Sequence, residues 1–216
     1  GCSKSDSVNI TVLPVPDAYV IADTSICLGE SLKLGKASVS GNTYAWSSNP
    51  AGFNNNLSNP SVTPGKSIKY TLTETIVATG CAKTRTVDVI VNSKPNAVVG
   101  PTQTICKESS VSIGSNAVPG NSYTWVSNPK GFTSNSANPT VSPLVKTVFI
   151  LKELDRTTGC THIDSMTVNV NPIPAAKVGR DTTLCAGQSV LIGASGITGN
   201  TYAWESLPVG FNSISA

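Results

Sequence analysis

The strongest constraint on this chain is an internal repeat of 79 residues that runs without insertion or deletion. Trp46, Trp125 and Trp204 fall at that interval, as do Cys27, Cys106 and Cys185, and Cys2, Cys81 and Cys160. A unit of 79 residues can hold a core of its own, whereas solenoid units run about 20–50 residues and lean on their neighbours. The chain is therefore expected to form similar domains in series. Such a series points to a structural or adhesive role and away from a single catalytic centre.

Aligned repeats show where strands lie. Val8, Ile10 and Val12 correspond to Val87, Val89 and Val91, and to Met166, Val168 and Val170. This period-two alternation buries one face of a strand and wets the other. A second strand carries Leu32 and Leu34, matched by Val111 and Ile113 and by Val190 and Ile192. A third holds Tyr44 and Trp46, Tyr123 and Trp125, Tyr202 and Trp204. Each Tyr and Trp are two apart, so both project to one face, and the six are expected as core residues. A fourth strand carries Tyr70 and Leu72, matched by Phe149 and Leu151. Helical spacing is nowhere sustained.

Turn residues separate these strands. Gly41-Asn42, Gly120-Asn121 and Gly199-Asn200 precede the Tyr-x-Trp strand, and Asn49-Pro50-Ala51-Gly52-Phe53 follows it, with counterparts 79 residues on. Thr79-Gly80-Cys81 and Thr158-Gly159-Cys160 read as hairpin tips between the last two strands. The fold class expected is all-β, as tandem Ig-like antiparallel β-sandwich domains. Pro-rich joints at Pro14–Pro16, Pro95 and Pro172–Pro174 divide the chain. The expected frame is the last strand of a preceding repeat at 1–15, whole repeats at 16–94 and 95–173, and the first three strands of another at 174–216. The two end pieces together lack any counterpart of Asn59–Thr79. The stretch thus reads as a window on a longer chain, with strand donation between molecules as the second reading.

Composition removes several function classes. The net charge is +3 with no basic cluster, so nucleic acid is not an expected partner. No apolar run of about 18 residues occurs, so no membrane span is expected in this segment. Gly1-Cys2 falls in mid-repeat, so any targeting segment is expected outside it. His162 is the only histidine and aligns with Lys83 and Lys4, which reads as an exposed surface residue and not a catalytic or zinc-binding one. Gly29–Lys36 has the wrong spacing for a phosphate loop and leads into a strand instead of a helix. No catalytic residue, metal site or cofactor is expected. The three Trp read as core residues before sugar platforms, because every repeat has one. Ligand contacts should instead lie where repeats differ, as in Asn54-Asn55-Asn56 against Thr133-Ser134-Asn135.

The ordered string is Cys-x-Gly-x-Ser-apolar, Gly-Asn-Thr/Ser-Tyr-x-Trp, Asn-Pro-x-Val-x-Pro, Thr-Gly-Cys and alternating valines. It resembles the tandem Ig-like, PKD-like repeats of large secreted surface proteins of Bacteroidota, gliding-motility adhesins among them. The resemblance implies an extended stalk or filament of an adhesin, export, and a place on the bacterial cell surface. It implies as partners neighbouring repeats of the same chain, surface polysaccharide or other cell-surface proteins. It also makes Ser7, Ser165 and Thr182 candidates for O-glycosylation, each following an Asp or lying in an Asp-Thr pair. Calcium at every joint is not expected, since Thr102 replaces Asp23 and Asp181, and Arg85 aligns with Asp6 and Asp164. The alternative functions are a polysaccharide-binding module and an accessory region of a large secreted enzyme.

Six regularly spaced cysteines suggest an oxidising compartment, with free buried thiols as the other reading. Two pairings stay open. Within domains, Cys27 would join Cys81 and Cys106 would join Cys160. In an Ig-like strand order, however, Cys27 lies where the chain leaves a domain and Cys81 where it enters, about 30 Å away. A bond needs Cα atoms within about 7 Å. The outgoing end of one domain abuts the incoming end of the next, which brings Cys27 toward Cys160 across the joint.

Overall fold

The computed structural model describes residues 1–215, and every regular element among them is a strand. The first set is β1 (Thr24–Cys27), β2 (Leu32–Lys33), β3 (Asn42–Asn49), β4 (Asn54–Asn55), β5 (Ser61–Val62), β6 (Ile68–Ile76) and β7 (Ala82–Asn92). The second is β8 (Gln103–Cys106), β9 (Val111–Ser112), β10 (Asn121–Asn128), β11 (Thr133–Ser134), β12 (Thr140–Val141), β13 (Thr147–Asp155) and β14 (Thr161–Asn171). Each strand of the second set begins 79 residues after its counterpart in the first. A last short pair, β15 (Trp204–Glu205) and β16 (Asn212–Ser213), follows.

Each set makes an Ig-like sandwich of one five-stranded and one two-stranded sheet. The first has the order β1-β7-β6-β3-β4 with β2-β5 opposite; the second has β8-β14-β13-β10-β11 with β9-β12 opposite. Pairing is antiparallel save at one edge. There β1 runs parallel to β7, from Thr24↔Val89 to Cys27↔Asn92, and β8 runs parallel to β14. Parallel neighbours need a long connection between them, and here the whole domain is that connection.

The alternation seen in the sequence decides what is buried. In the first sandwich Trp46, Tyr70, Leu72, Val87 and Val89 of the large sheet meet Leu34 and Val62. In the second, Trp125, Phe149, Leu151, Met166 and Val168 meet Ile113 and Val141, with Ala97 and Val99 at the margin. Trp46 and Trp125 are 2% and 0% exposed, and each indole Nε1 donates to a loop carbonyl, Leu57 O at 2.9 Å and Ser136 O at 3.0 Å. Burial of so large a ring is favourable only with its polar end satisfied. Tyr123 is buried, and Tyr44 is half-buried against its core.

The Asn-Pro-x-Gly-Phe segment is a plug. Ser127 Oγ donates to Pro129 O at 2.7 Å and accepts from Phe132 N at 3.1 Å, which turns the Phe132 ring inward. That ring meets Phe149 edge-on, with centroids 5.5 Å apart. Ser48, Phe53 and Tyr70 repeat the arrangement at 5.2 Å. The peptide before each of Pro50, Pro129 and Pro208 is cis.

The two ends differ from expectation. Residues 1–23 contain no strand, and Val8, Ile10 and Val12 are 83%, 82% and 88% exposed. Their counterparts β7 and β14 each lie between two neighbouring strands, and no described segment flanks Val8–Val12 in that way. At the other end, β15 and β16 form in place of three strands. The counterparts of β1 and β2 stay irregular, because those strands are held by β7 and β5, which have no described equivalent there. Tyr202 and Trp204 are consequently half-buried and belong to no closed core, although Trp204 Nε1 still donates to Ser215 O at 2.9 Å.

Candidate functional site

The feature that distinguishes this chain from two independent beads is the joint between its sandwiches. It is built by local geometry. Cys27 ends β1, opposite Asn92 at the end of β7, and Leu28 N donates to Asn92 O at 2.9 Å. Cys160 sits at the hairpin tip before β14, and nearby His162 Nδ1 lies 3.1 Å from Asn96 O. Only Ser93, Lys94 and Pro95 separate those two backbone anchors. The outgoing corner of one sandwich thus meets the incoming hairpin of the next.

A disulfide closes this contact. Cys27 and Cys160 are bonded, with Cα atoms 5.5 Å apart and a sequence separation of 133. The within-domain pairings, Cys27 with Cys81 and Cys106 with Cys160, do not occur. β7 alone has 11 residues, a span of about 35 Å, and it holds Cys27 and Cys81 at opposite ends. Cys81 and Cys106, the counterparts of the bonded pair, are free thiols, as are Cys2 and Cys185. Cys160 is fully buried.

The hairpin beside Cys160 has a support that the first repeat lacks. Asp155 Oδ1 accepts from Thr157 N at 2.8 Å and Oδ2 accepts from Thr158 Oγ1 at 2.8 Å. These bonds, the Thr157 amide foremost, hold the Asp155 carboxyl below its ordinary range. The aligned residue in the first repeat is Ile76.

On the other side of the linker a buried carboxyl anchors the irregular segment that leads into β8. Ala97 has a positive φ of 46°, and its amide donates to Glu153 Oε2 at 2.7 Å. Asn121 Nδ2 donates to Glu153 Oε1 at 2.6 Å. Ala18, Asn42 and Glu74 form the same arrangement in the first sandwich. Glu74 and Glu153 are 2% and 3% exposed. Sequence reasoning missed both, although the signal was present: each stands on the buried face of an apolar alternation, Tyr70-x-Leu72-x-Glu74 and Phe149-x-Leu151-x-Glu153. Glu153→Met should destabilise the second sandwich by about 2 kcal/mol, because the Ala97 amide is left without an acceptor while Asn121 turns to water. Chemical denaturation of the variant measures it.

The remaining candidates are scattered. Ser7, Ser165 and Thr182 are exposed, the first two with their amides bonded to the preceding Asp carboxyl. Phe211 is 47% exposed, unlike Phe53 and Phe132, which pack on the cores. Asn54, Asn55 and Asn56 line a shallow depression over Tyr44 and Trp46, yet the Trp46 ring is buried and offers no stacking face. A furrow of about 800 Å³ runs past Asp23, Lys69 and Asp88. Its charges are already engaged: Lys69 Nζ is 2.8 Å from Asp88 Oδ2, and Asp88 N donates to Asp23 Oδ1 at 2.8 Å. Among the described residues no three of His, Cys, Asp and Glu converge as metal ligands do, and no helix is long and apolar enough to cross a membrane.

No protein-family profile matches the chain, and no curated protein does. Solved structures align with it at low similarity. Fibronectin(III)-like modules of Clostridium thermocellum CbhA align at 11% identity over 70% of this chain and 91% of theirs, with a TM-score of 0.34. An I-band fragment of titin aligns at 11% identity over 88% of this chain and 83% of its own, with a TM-score of 0.37. Extracellular domains 3–5 of Drosophila OTK align at 14% identity over 71% and 61%, with a TM-score of 0.37.

Proposed function

We propose that this chain is a non-enzymatic length of stalk or filament from a cell-surface adhesin, of the kind carried by gliding Bacteroidota. Its repeats are framed at 16–94 and 95–173, and it works outside the cytoplasm on a bacterial surface. The observation that carries this reading is the Cys27–Cys160 bond across the joint. A structural disulfide belongs to an oxidising compartment, and one placed between sandwiches serves their mutual arrangement, not the stability of either core. The buried, repeated Trp46 and Trp125 support scaffold over glycan binding. Its partners are then neighbouring sandwiches, with polysaccharide or other surface proteins met at the tip of the assembly.

Antibodies raised against the oxidised chain should decorate intact, unpermeabilised source cells. Labelling seen only after lysis overturns the reading. In solution scattering, the oxidised protein should keep a single maximum dimension. Cys27→Ser should broaden the distribution toward bent forms.

A further inference from the structure

The joint disulfide and the parallel edge strands together set how tension would pass along this chain. A pull on the N-terminal side enters the first sandwich at Pro16 and Asp17. The segment leading to Cys27 is held by the Ala18–Glu74 bond, by Ile21 N on Leu34 O at 3.0 Å, and by the β1–β7 ladder. At Cys27 the covalent path divides. One branch is the backbone through the remainder of both sandwiches. The other is the sulfur bridge straight to Cys160, where β14 begins and runs to the outgoing end.

We infer that the Cys27–Cys160 bond is a mechanical bypass: under tension it keeps both sandwich bodies out of the load path and leaves only two short segments to bear it. Those segments are residues 17–27 and β14. Each is loaded at both of its ends, so tension runs along its own extended backbone, while its ladder partner, β7 or β8, lies inside the bypass and carries none. β14 is also held along its other side by β13. The bypass encloses a sequence separation of 133 residues, which removes about 450 Å from the length to which the chain can be drawn. The rod can therefore be put under tension while its cores, which carry the slow long-range pairings, stay folded. The bypass uses the stalk reading only for its purpose, not for its geometry.

Single-molecule stretching of the full chain, gripped at positions 16 and 172, tests it, with the bond verified by mass spectrometry. The oxidised protein should yield only short steps, below about 20 Å, because strands in both loaded segments already rise about 3.3 Å per residue. Cys27→Ser should extend about 450 Å further. Ten glycines inserted between Ala37 and Ser38, in an exposed loop inside the bypass, should lengthen the Cys27→Ser chain by about 35 Å and the oxidised chain not at all. A step longer than about 100 Å in the oxidised chain, or equal extension with and without the bond, overturns the bypass. Short steps from a protein whose antibodies never label intact cells would sink the stalk reading and leave the bypass standing. Surface labelling with long steps would do the reverse.

Discussion

Trp125→Ala should destabilise the second sandwich by about 4 kcal/mol, the largest loss expected from any single truncation here. The indole is fully buried, and it touches both sheets of its domain through the cluster that joins Ile113, Phe149 and Leu151. Removing it deletes the most voluminous buried side chain and opens a cavity that the strand frame cannot collapse to fill. It also strips Ser136 O of the indole donor that fixes the loop after β11. Trp204→Ala is the matching control, since that ring is half-exposed and has only local bonds. Its effect should be below about 1 kcal/mol. Denaturant titration of the two variants, followed by far-ultraviolet circular dichroism, separates them. Equal losses would contradict the core assignment.

Gly114→Ala should cost about as much, and for a backbone reason. Gly114 has φ +88°, and a Cβ there would stand 2.2 Å from Ala137 O and 3.0 Å from Trp125 Cζ2. Two penalties combine. The left-handed conformation alone costs a side chain about 1–2 kcal/mol. The contact with a carbonyl that cannot swing away adds about 2–3 kcal/mol of displaced backbone. Gly100→Ala isolates the first penalty, since Gly100 has φ +83° with nothing within 4 Å. The gap between the two variants measures how tightly the loop before β12 lies against Ile113-Gly114. If both lose equally, the close approach is not what selects glycine.

What could be read in the sequence follows from which forces act locally. Alternation and turn residues report burial, so Trp46, Leu72, Val87 and their counterparts were legible as core. The route to Cys27–Cys160 was legible only on an assumed Ig-like strand order, which puts the two cysteines of one repeat at opposite ends of a sandwich, farther apart than a disulfide can span, and the within-domain pairing stayed open beside it. The parallel edge was not, since β1 has the same composition whichever way its partner runs. Glu74 and Glu153 escaped notice because a carboxyl on a buried face is favourable only through bonds to Ala18, Asn42, Ala97 and Asn121, residues 32 to 56 positions away. The strand expected over Val8–Val12 failed for the complementary reason: a pattern specifies which face is buried, but a strand exists only beside another strand.

The two sandwiches are tied at two separate places, by the backbone at Pro95 and by sulfur at Cys27 and Cys160. A single tether lets a body swivel freely about it. Two tethers leave one hinge axis and cancel rotation about the long direction. The azimuth of one sandwich is therefore set by its neighbour, as the phase of a screw thread is set by the turn before it. Any surface that contacts consecutive repeats would meet their outer faces at a constant angular offset, and reducing one bond would scramble that phase without unfolding a single strand.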